Sequence, residues 1–279
     1  MERKLAVLFF SGLAPLLVSS PLRAGDGLLP GAKAEDPLTI EANRLDMKDS
    51  RKLLVYTGNI LVANGPSTLK SSDLTIHLDS AEAGVGSTTD RVNRIEANGP
   101  VVINTQKEAY SGNRLQYDRH TNKIYLNGNV TIQQGDGLTR ADNLEFDKGN
   151  NTALLTGNVV FQKGAAVVKG EKLVYDQARD KIVLNNNVVY ISGDTSVTGR
   201  KMDFDRKANT ALFTGDVVYV KKDTVVRGEA MEYNLTTNQG VVRTGPASTA
   251  HASPTGGAAA GQPGNRVKAI FTPGQGKSM

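Results

Sequence analysis

Four aspartates stand 29 residues apart, at Asp118, Asp147, Asp176 and Asp205, and Asn234 continues the step. Carboxylates at a fixed spacing could ligate calcium, but the Gly-Gly-x-Gly-x-Asp nonapeptide of calcium-binding repeats is missing. Each Asp directly precedes a short polar stretch, such as Arg119-His120-Thr121-Asn122 or Lys148-Gly149-Asn150-Asn151. The simpler chemistry is an Asx turn, in which the carboxylate accepts a backbone N–H a few residues on. His77, His120 and His251 are the only histidines and lie far apart in unlike contexts. The 279 residues include no Cys, so disulfides, zinc–thiolate sites and thiol nucleophiles are excluded together. There is no Gly-x-Ser-x-Gly, no Walker sequence, no His-Glu-x-x-His and no discernible carboxylate pair. The expectation is a chain that is not an enzyme, with no catalytic residue, no metal and no cofactor.

The aspartates belong to a longer repeat. Gly112-Asn113-Arg114-Leu115-Gln116-Tyr117-Asp118 returns as Ala141 to Asp147, Gly170 to Asp176, Gly199 to Asp205 and Gly228 to Asn234. A second motif keeps the same step: Leu126-Asn127-Gly128-Asn129-Val130-Thr131-Ile132, then Leu155 to Phe161, Leu184 to Tyr190 and Phe213 to Tyr219. A weaker copy, Tyr56-Thr57-Gly58-Asn59-Ile60-Leu61-Val62, starts the series. From Gly58 to Gly99 the step is 41, and the polar Ser80 to Arg91 holds the extra residues.

The elements that carry these motifs alternate with the strand period of two. Ile124, Leu126, Gly128, Val130 and Ile132 share one face, as do Ala153, Leu155, Gly157, Val159 and Phe161. Leu115 with Tyr117, Leu144 with Phe146, Leu173 with Tyr175 and Met202 with Phe204 alternate likewise. No 3.6-residue stripe competes, so helix should be close to nil. Short Gly/Asn/Asp links read as hairpin turns, so each repeat is one long hairpin in a meander. Pro100 is followed by no proline until Pro246, which leaves the hydrogen-bond ladder unbroken. A glycine inside a strand marks a bend or bulge. Placed on the inward face, it would bend every long strand and leave space inside. The predicted fold is all-β: an elongated, taco-like antiparallel β-jelly roll of bent strands, with two sheet edges open to strand addition.

Met1-Glu2-Arg3-Lys4, an apolar run from Leu5 to Val18 and the small Ala24 read as a signal peptide over 1–24. The run is short of the ~20 residues a membrane-spanning helix needs; retention as an N-terminal anchor is the competing reading. No Cys follows, which rules out a lipoprotein anchor. Removing 1–24 takes away Arg3, Lys4, Arg23 and Glu2, leaving 30 basic against 27 acidic residues, a net +3. That is a poor case for nucleic acid.

The motifs resemble those of the OstA-like, or LptA, family of periplasmic lipopolysaccharide-transport bridge proteins, related to LptC and the LptD N-terminal domain. The resemblance is carried by Asp36-Pro37-Leu38-Thr39-Ile40-Glu41-Ala42 with Leu45-Asp46, by Tyr56 to Val62, Ser72-Asp73-Leu74, Ile95 to Pro100, and Arg266 to Pro273. It covers 36–245, expected as the β-jelly roll, and 266–273, a candidate closing strand; composition reads 246–265 as a Gly/Ala/Pro-rich linker, with 25–35 as a flexible N-terminus and 274–279 as a tail. The resemblance also implies a periplasmic protein that cradles lipopolysaccharide acyl chains. An LptC-like inner-membrane partner would meet the N-terminal edge, where Leu38 and Ile40 lie, and an LptD-like outer-membrane partner the C-terminal edge. Head-to-tail self-association is a further expectation. The chain departs from the simplest members in its extra 29-residue units and in Asn186, which replaces the strand glycine once.

The candidate lipid-lining positions are Leu38, Ile40, Ile103, Leu115, Tyr117, Val130, Ile132, Leu144, Phe146, Val159, Phe161, Leu173, Tyr175, Val188, Tyr190, Phe204, Phe213, Val217, Tyr219 and Tyr233. The bland alternative is that these residues fill a dry core, making the chain a β-repeat scaffold or surface protein without a lipid ligand.

Overall fold

A computed structural model describes residues 28–33, 35–79, 91–234, 237, 239–244 and 268–271. The segment 1–24 read as a signal peptide, the whole stretch 246–265 read as a linker and the stretch 274–279 read as a tail lie outside the described residues. The strands, in chain order, are β1 (Leu38–Glu41), β2 (Arg44–Lys48), β3 (Leu53–Asn64), β4 (Ser67–Leu78), β5 (Val92–Asn104), β6 (Glu108–Asp118), β7 (Lys123–Gln134) and β8 (Gly137–Asp147). They continue with β9 (Thr152–Lys163), β10 (Ala166–Asp176), β11 (Lys181–Ser192), β12 (Thr195–Asp205), β13 (Thr210–Lys221), β14 (Thr224–Asn234), β15 (Gln239–Arg243) and β16 (Lys268–Phe271). One 3-10 turn, Asp49–Arg51, is the helical element among the described residues, and no helix there is long and apolar enough to cross a membrane.

The described residues fall into two compact units. One holds 28–161 with 172–179, the other 162–171 with 180–271. In the first, neighbouring strands follow chain order from β3 to β9, while β1 and β2 lie end to end on β3. In the second, β11 to β14 follow in order, and β14 carries β15 on one half and β16 on the other. Every pair in these registers is antiparallel, as expected of hairpins joined by short links.

Two kinds of turn alternate. Two-residue links, such as Gly135-Asp136, open with a left-handed residue: Gly65, Gly135, Gly164 and Gly193 have φ near +55°. Four-residue turns follow each repeated aspartate. Asp118 Oδ1 accepts from Thr121 N–H at 3.0 Å, Asp147 from Asn150 at 2.9 Å, Asp176 from Arg179 at 2.9 Å and Asp205 from Ala208 at 2.9 Å. Asn234 does the same for Thr237 at 3.0 Å. These backbone bonds hold all four carboxyls below the usual carboxylate range. The 29-residue aspartate step is thus a structural turn signal.

The strand glycines do bend the chain, but not as the alternation suggests. Gly128 and Asn129 both have positive φ, 78° and 52°, and so do Gly157–Asn158, Gly58–Asn59 and Gly215–Asp216. From Asn127 to Val130 the chain takes three steps where β8 takes two, from Asn143 to Ala141. Each site is therefore a β-bulge, which kinks its strand. A Cβ on Gly128 would strike the exposed Asn113, and one on Gly157 the exposed Asp142. The bulge glycines face outward and leave no space inside, which corrects the inward placement. The left-handed pair turns their side-chain direction to the outer surface. Asn186 and Asn187 repeat the geometry at φ 63° and 53°, so the bend survives the loss of glycine.

Candidate lipid-binding interior

The bulge has a consequence for which residues share the inner face. On β7 the buried positions keep one parity, Ile124, Leu126, Val130 and Ile132. On β8 the parity changes at the bend: Gly137, Thr139 and Ala141 are buried before it, Leu144 and Phe146 after it. The same change occurs on β6, between Gly112 and Leu115.

Of the candidate lining positions, all but two are buried. Ile103, Leu115, Tyr117, Val130, Ile132, Leu144, Phe146, Val159, Phe161, Leu173 and Tyr175 lie on the inner face of the first unit, none more than 7% exposed. Val188, Tyr190, Phe204, Phe213, Val217, Tyr219 and Tyr233 do so in the second, again to 7% at most. Leu38 and Ile40 are half-buried on β1, opposite the buried Asn64 and Val62. They sit on the inner side of an edge strand, which explains their partial exposure.

Missing from the sequence-derived set are the first halves of the short-motif strands. Leu69, Tyr110, Thr139, Val168 and Val197 are buried beside the candidates. The signal is positional: Tyr110, Thr139, Val168 and Val197 each stand two residues before the small residue, and the next buried residue stands three after it. Leu138 and Val167 obscure it, because apolar side chains there are only half-buried.

Two polar features interrupt the apolar lining. In the first unit the buried Tyr110 phenol donates to the buried Glu108 carboxylate, and Gln134 Nε2 donates to Glu108 Oε1 at 2.9 Å. Burial pushes the Glu108 carboxyl up, and burial with the adjacent carboxylate pushes the Tyr110 phenol well above its ordinary value. In the second unit burial pushes the Tyr233 phenol up, with smaller contributions from the Tyr219 and Tyr190 phenols. Among the described residues the buried Tyr219 hydroxyl has no hydrogen-bond partner, which costs ~1–3 kcal/mol for a buried group. At the first unit's rim, Lys148 Nζ stands 5.5 Å from the centre of the Tyr117 ring.

Among the described residues no three His, Asp or Glu side chains cluster to hold a metal. What the interior can do is bury apolar chains, at ~25 cal/mol per Å².

Comparison with known proteins adds three findings. The family model of the LptA/(LptD N-terminal domain) LPS transport protein matches residues 39–138, 111–210 and 138–239. An uncharacterized protein of Rhizobium meliloti (strain 1021) is 26% identical over 111 residues, which is 38% of this chain and 60% of that protein. The crystal structure of LptH from Pseudomonas aeruginosa, described as the LptA-homologous periplasmic component of the lipopolysaccharide transport device, superposes with a TM-score of 0.37 at 16% identity, over 44% of this chain and 84% of that one.

Proposed function

Because the chain belongs to the LptA/LptD N-terminal-domain family of lipopolysaccharide-transport proteins, we propose that it binds lipopolysaccharide acyl chains along its inner face. It carries them through the periplasm from inner to outer membrane without chemistry of its own. The observation that carries this reading is the recurrence of large apolar side chains at matched inner positions. Tyr117, Phe146 and Tyr175 are stepped by 29 in one unit, and Phe204 and Tyr233 in the other. A core needs only to be filled, whereas a path for a sliding chain needs the same surface presented repeatedly.

The sheet edges support assembly. An edge strand offers unpaired backbone groups to a further strand. Among the described residues, β1 and β2 pair only with β3 at one edge, and β15 and β16 only with β14 at the other. An LptC-like partner adds at the first and an LptD-like partner, or a second copy, at the other.

The tight burial of the interior favours one second reading, a dry-core scaffold. A photo-crosslinking residue placed at Phe161 or Tyr175 in cells separates the two. Lipopolysaccharide adducts are expected; their absence at every inner position would leave the scaffold.

A further inference from the structure

The residues ahead of β1, read from sequence as a flexible lead, pack where they are described. They form a strap over the inner face of the first unit. Leu29 and Ala32 are 6% and 1% exposed, and Ala32 N–H donates to the Leu29 carbonyl at 3.1 Å. One side chain ties the strap down. Asn64, at the end of β3 and 3% exposed, accepts through Oδ1 from Leu28 N–H at 3.1 Å and Leu29 N–H at 3.4 Å. Its Nδ2 donates to the carbonyls of Asp36 at 3.1 Å and Pro37 at 3.4 Å. The fully buried Ser67, which opens β4, donates to the Pro30 carbonyl. Asp36 Oδ2 accepts from Lys33 N–H at 2.7 Å and closes the strap on itself.

Buried polar side chains on an apolar face are costly unless bonded. The bonds of Asn64 and Ser67 to the strap go to amide N–H and carbonyl groups. These bonds suit any group that offers the same partners, an amide N–H and a carbonyl joined to an apolar branch. The strap presents that combination as peptide groups beside the Leu29 side chain. An amide-linked acyl chain presents it as well.

We propose that the inner face at the ends of β3 and β4 is a binding site for amide-linked acyl chains, held closed by the chain's own residues 28–33 and 35–37, which the ligand displaces. The site rests on the acyl-binding reading above and adds a place and a competitor to it. An amide linkage offers Ser67 a carbonyl to replace that of Pro30 and offers Asn64 Oδ1 an N–H to replace that of Leu28 or Leu29.

The chain has no native cysteine, so an engineered pair is unambiguous. A Cβ on Gly31 would lie 3.9 Å from the Thr105 Cβ, within the ~3.5–4.5 Å of disulfides. Purified lipid A carrying a fluorescent tag is titrated into the chain with Gly31→Cys and Thr105→Cys. The oxidised form should bind at least ten-fold more weakly than the same protein reduced; equal affinities overturn the proposal. Because Gly31 has φ 80°, where Cys is strained, Leu29→Ser provides a second test that leaves Asn64 and Ser67 untouched. It should bind three-fold or more tighter than the unaltered chain, and unchanged or weaker binding overturns the strap. If the unaltered chain, the reduced pair and Leu29→Ser all fail to take up lipid A, the acyl-binding reading itself falls. Uptake by all three at one affinity sinks the strap alone.

Discussion

A Cβ built on Gly112 of β6 would stand 2.8 Å from both Cγ and Cδ1 of Leu126 on β7. Leu126 thus fills the volume that Gly112 leaves on the inner face, and the contact is with the branch point of the side chain rather than a movable tip. Gly112→Ala is expected to cost about 1–3 kcal/mol by overpacking, measured by denaturant unfolding. Leu126→Ala alone should cost about 2–5 kcal/mol. The two together should cost less than their sum, because each relieves the other. Strict additivity would show that the two do not share that space.

The contact explains how far the sequence could be read. The 29-residue step, the hairpin order and the aspartate turns were legible, because Asp147 and its equivalents act within four residues of themselves. The second-strand inner face was legible too, because the bulge at Gly128–Asn129 restores parity along its own strand. The first halves of the neighbouring strands were not. Tyr110 and Leu115 face the same interior although five residues separate them, and only the cross-strand register reveals the change of parity. The direction of the bulge glycines was misread for the same reason: a positive φ is not visible in a hydropathy pattern. Nor could composition show that Leu29 and Ala32 pack inward, since Asn64, the residue that fixes them, is 35 positions from Leu29.

The turn aspartates predict an acid limit to stability. Asp118, Asp147, Asp176 and Asp205 all have folded values below their unfolded ones, chiefly through backbone hydrogen bonds. Their contribution is complete above the unfolded value of ~3.9 and is lost as pH falls through the folded values. The melting temperature should therefore drop steeply below about pH 4. Asp147→Asn keeps an acceptor oxygen and should flatten part of that drop. Asp147→Ala should cost about 1 kcal/mol at neutral pH. Parallel melting curves for all three proteins would count against the turn assignment.

Glu108 acts in the opposite sense. Its folded value is raised, first by burial, with the Tyr110 hydrogen bond and Lys107 opposing. Its stabilising contribution is therefore full at low pH and is lost as pH rises through the folded value. Glu108→Gln removes that loss while keeping an acceptor for Tyr110 or Gln134. The variant should melt higher than the parent at pH 7, and the gap should close below about pH 4.3. A gap of the same size at both pH values would mean that packing, not charge, sets the effect.

The bends offer a paired comparison. Gly157 has φ 76° and abuts Asp142, so Gly157→Ala is expected to cost about 1–2 kcal/mol from backbone conformation alone. Asn186 holds the same conformation at φ 63° with a residue that tolerates it. Asn186→Gly trades a small relief for greater unfolded-state freedom and should stay within about 0.5 kcal/mol of the parent. Chemical denaturation of the two variants checks the asymmetry. A large gain for Asn186→Gly would show that the asparagine bend carries strain.

The proposed assembly through sheet edges makes the last prediction. On β2, Met47 is 74% exposed and Leu45 44%, and on β15 Val241 is 52% exposed. Large apolar side chains are kept off edges unless something covers them, because a bare apolar edge invites aggregation. Met47→Lys and Val241→Lys place a charge where an added strand would lie, yet neither residue is buried in its own unit. Each should leave the melting temperature within about 2 °C of the parent, since exposed substitutions rarely exceed about 0.5 kcal/mol. Concentration-dependent association, followed by light scattering, should weaken by ten-fold or more for Met47→Lys and for Val241→Lys. The combined variant should be no weaker than the worse single one, because in a head-to-tail chain the two residues meet at one joint. An additive loss would place them in two separate interfaces and remove the head-to-tail arrangement.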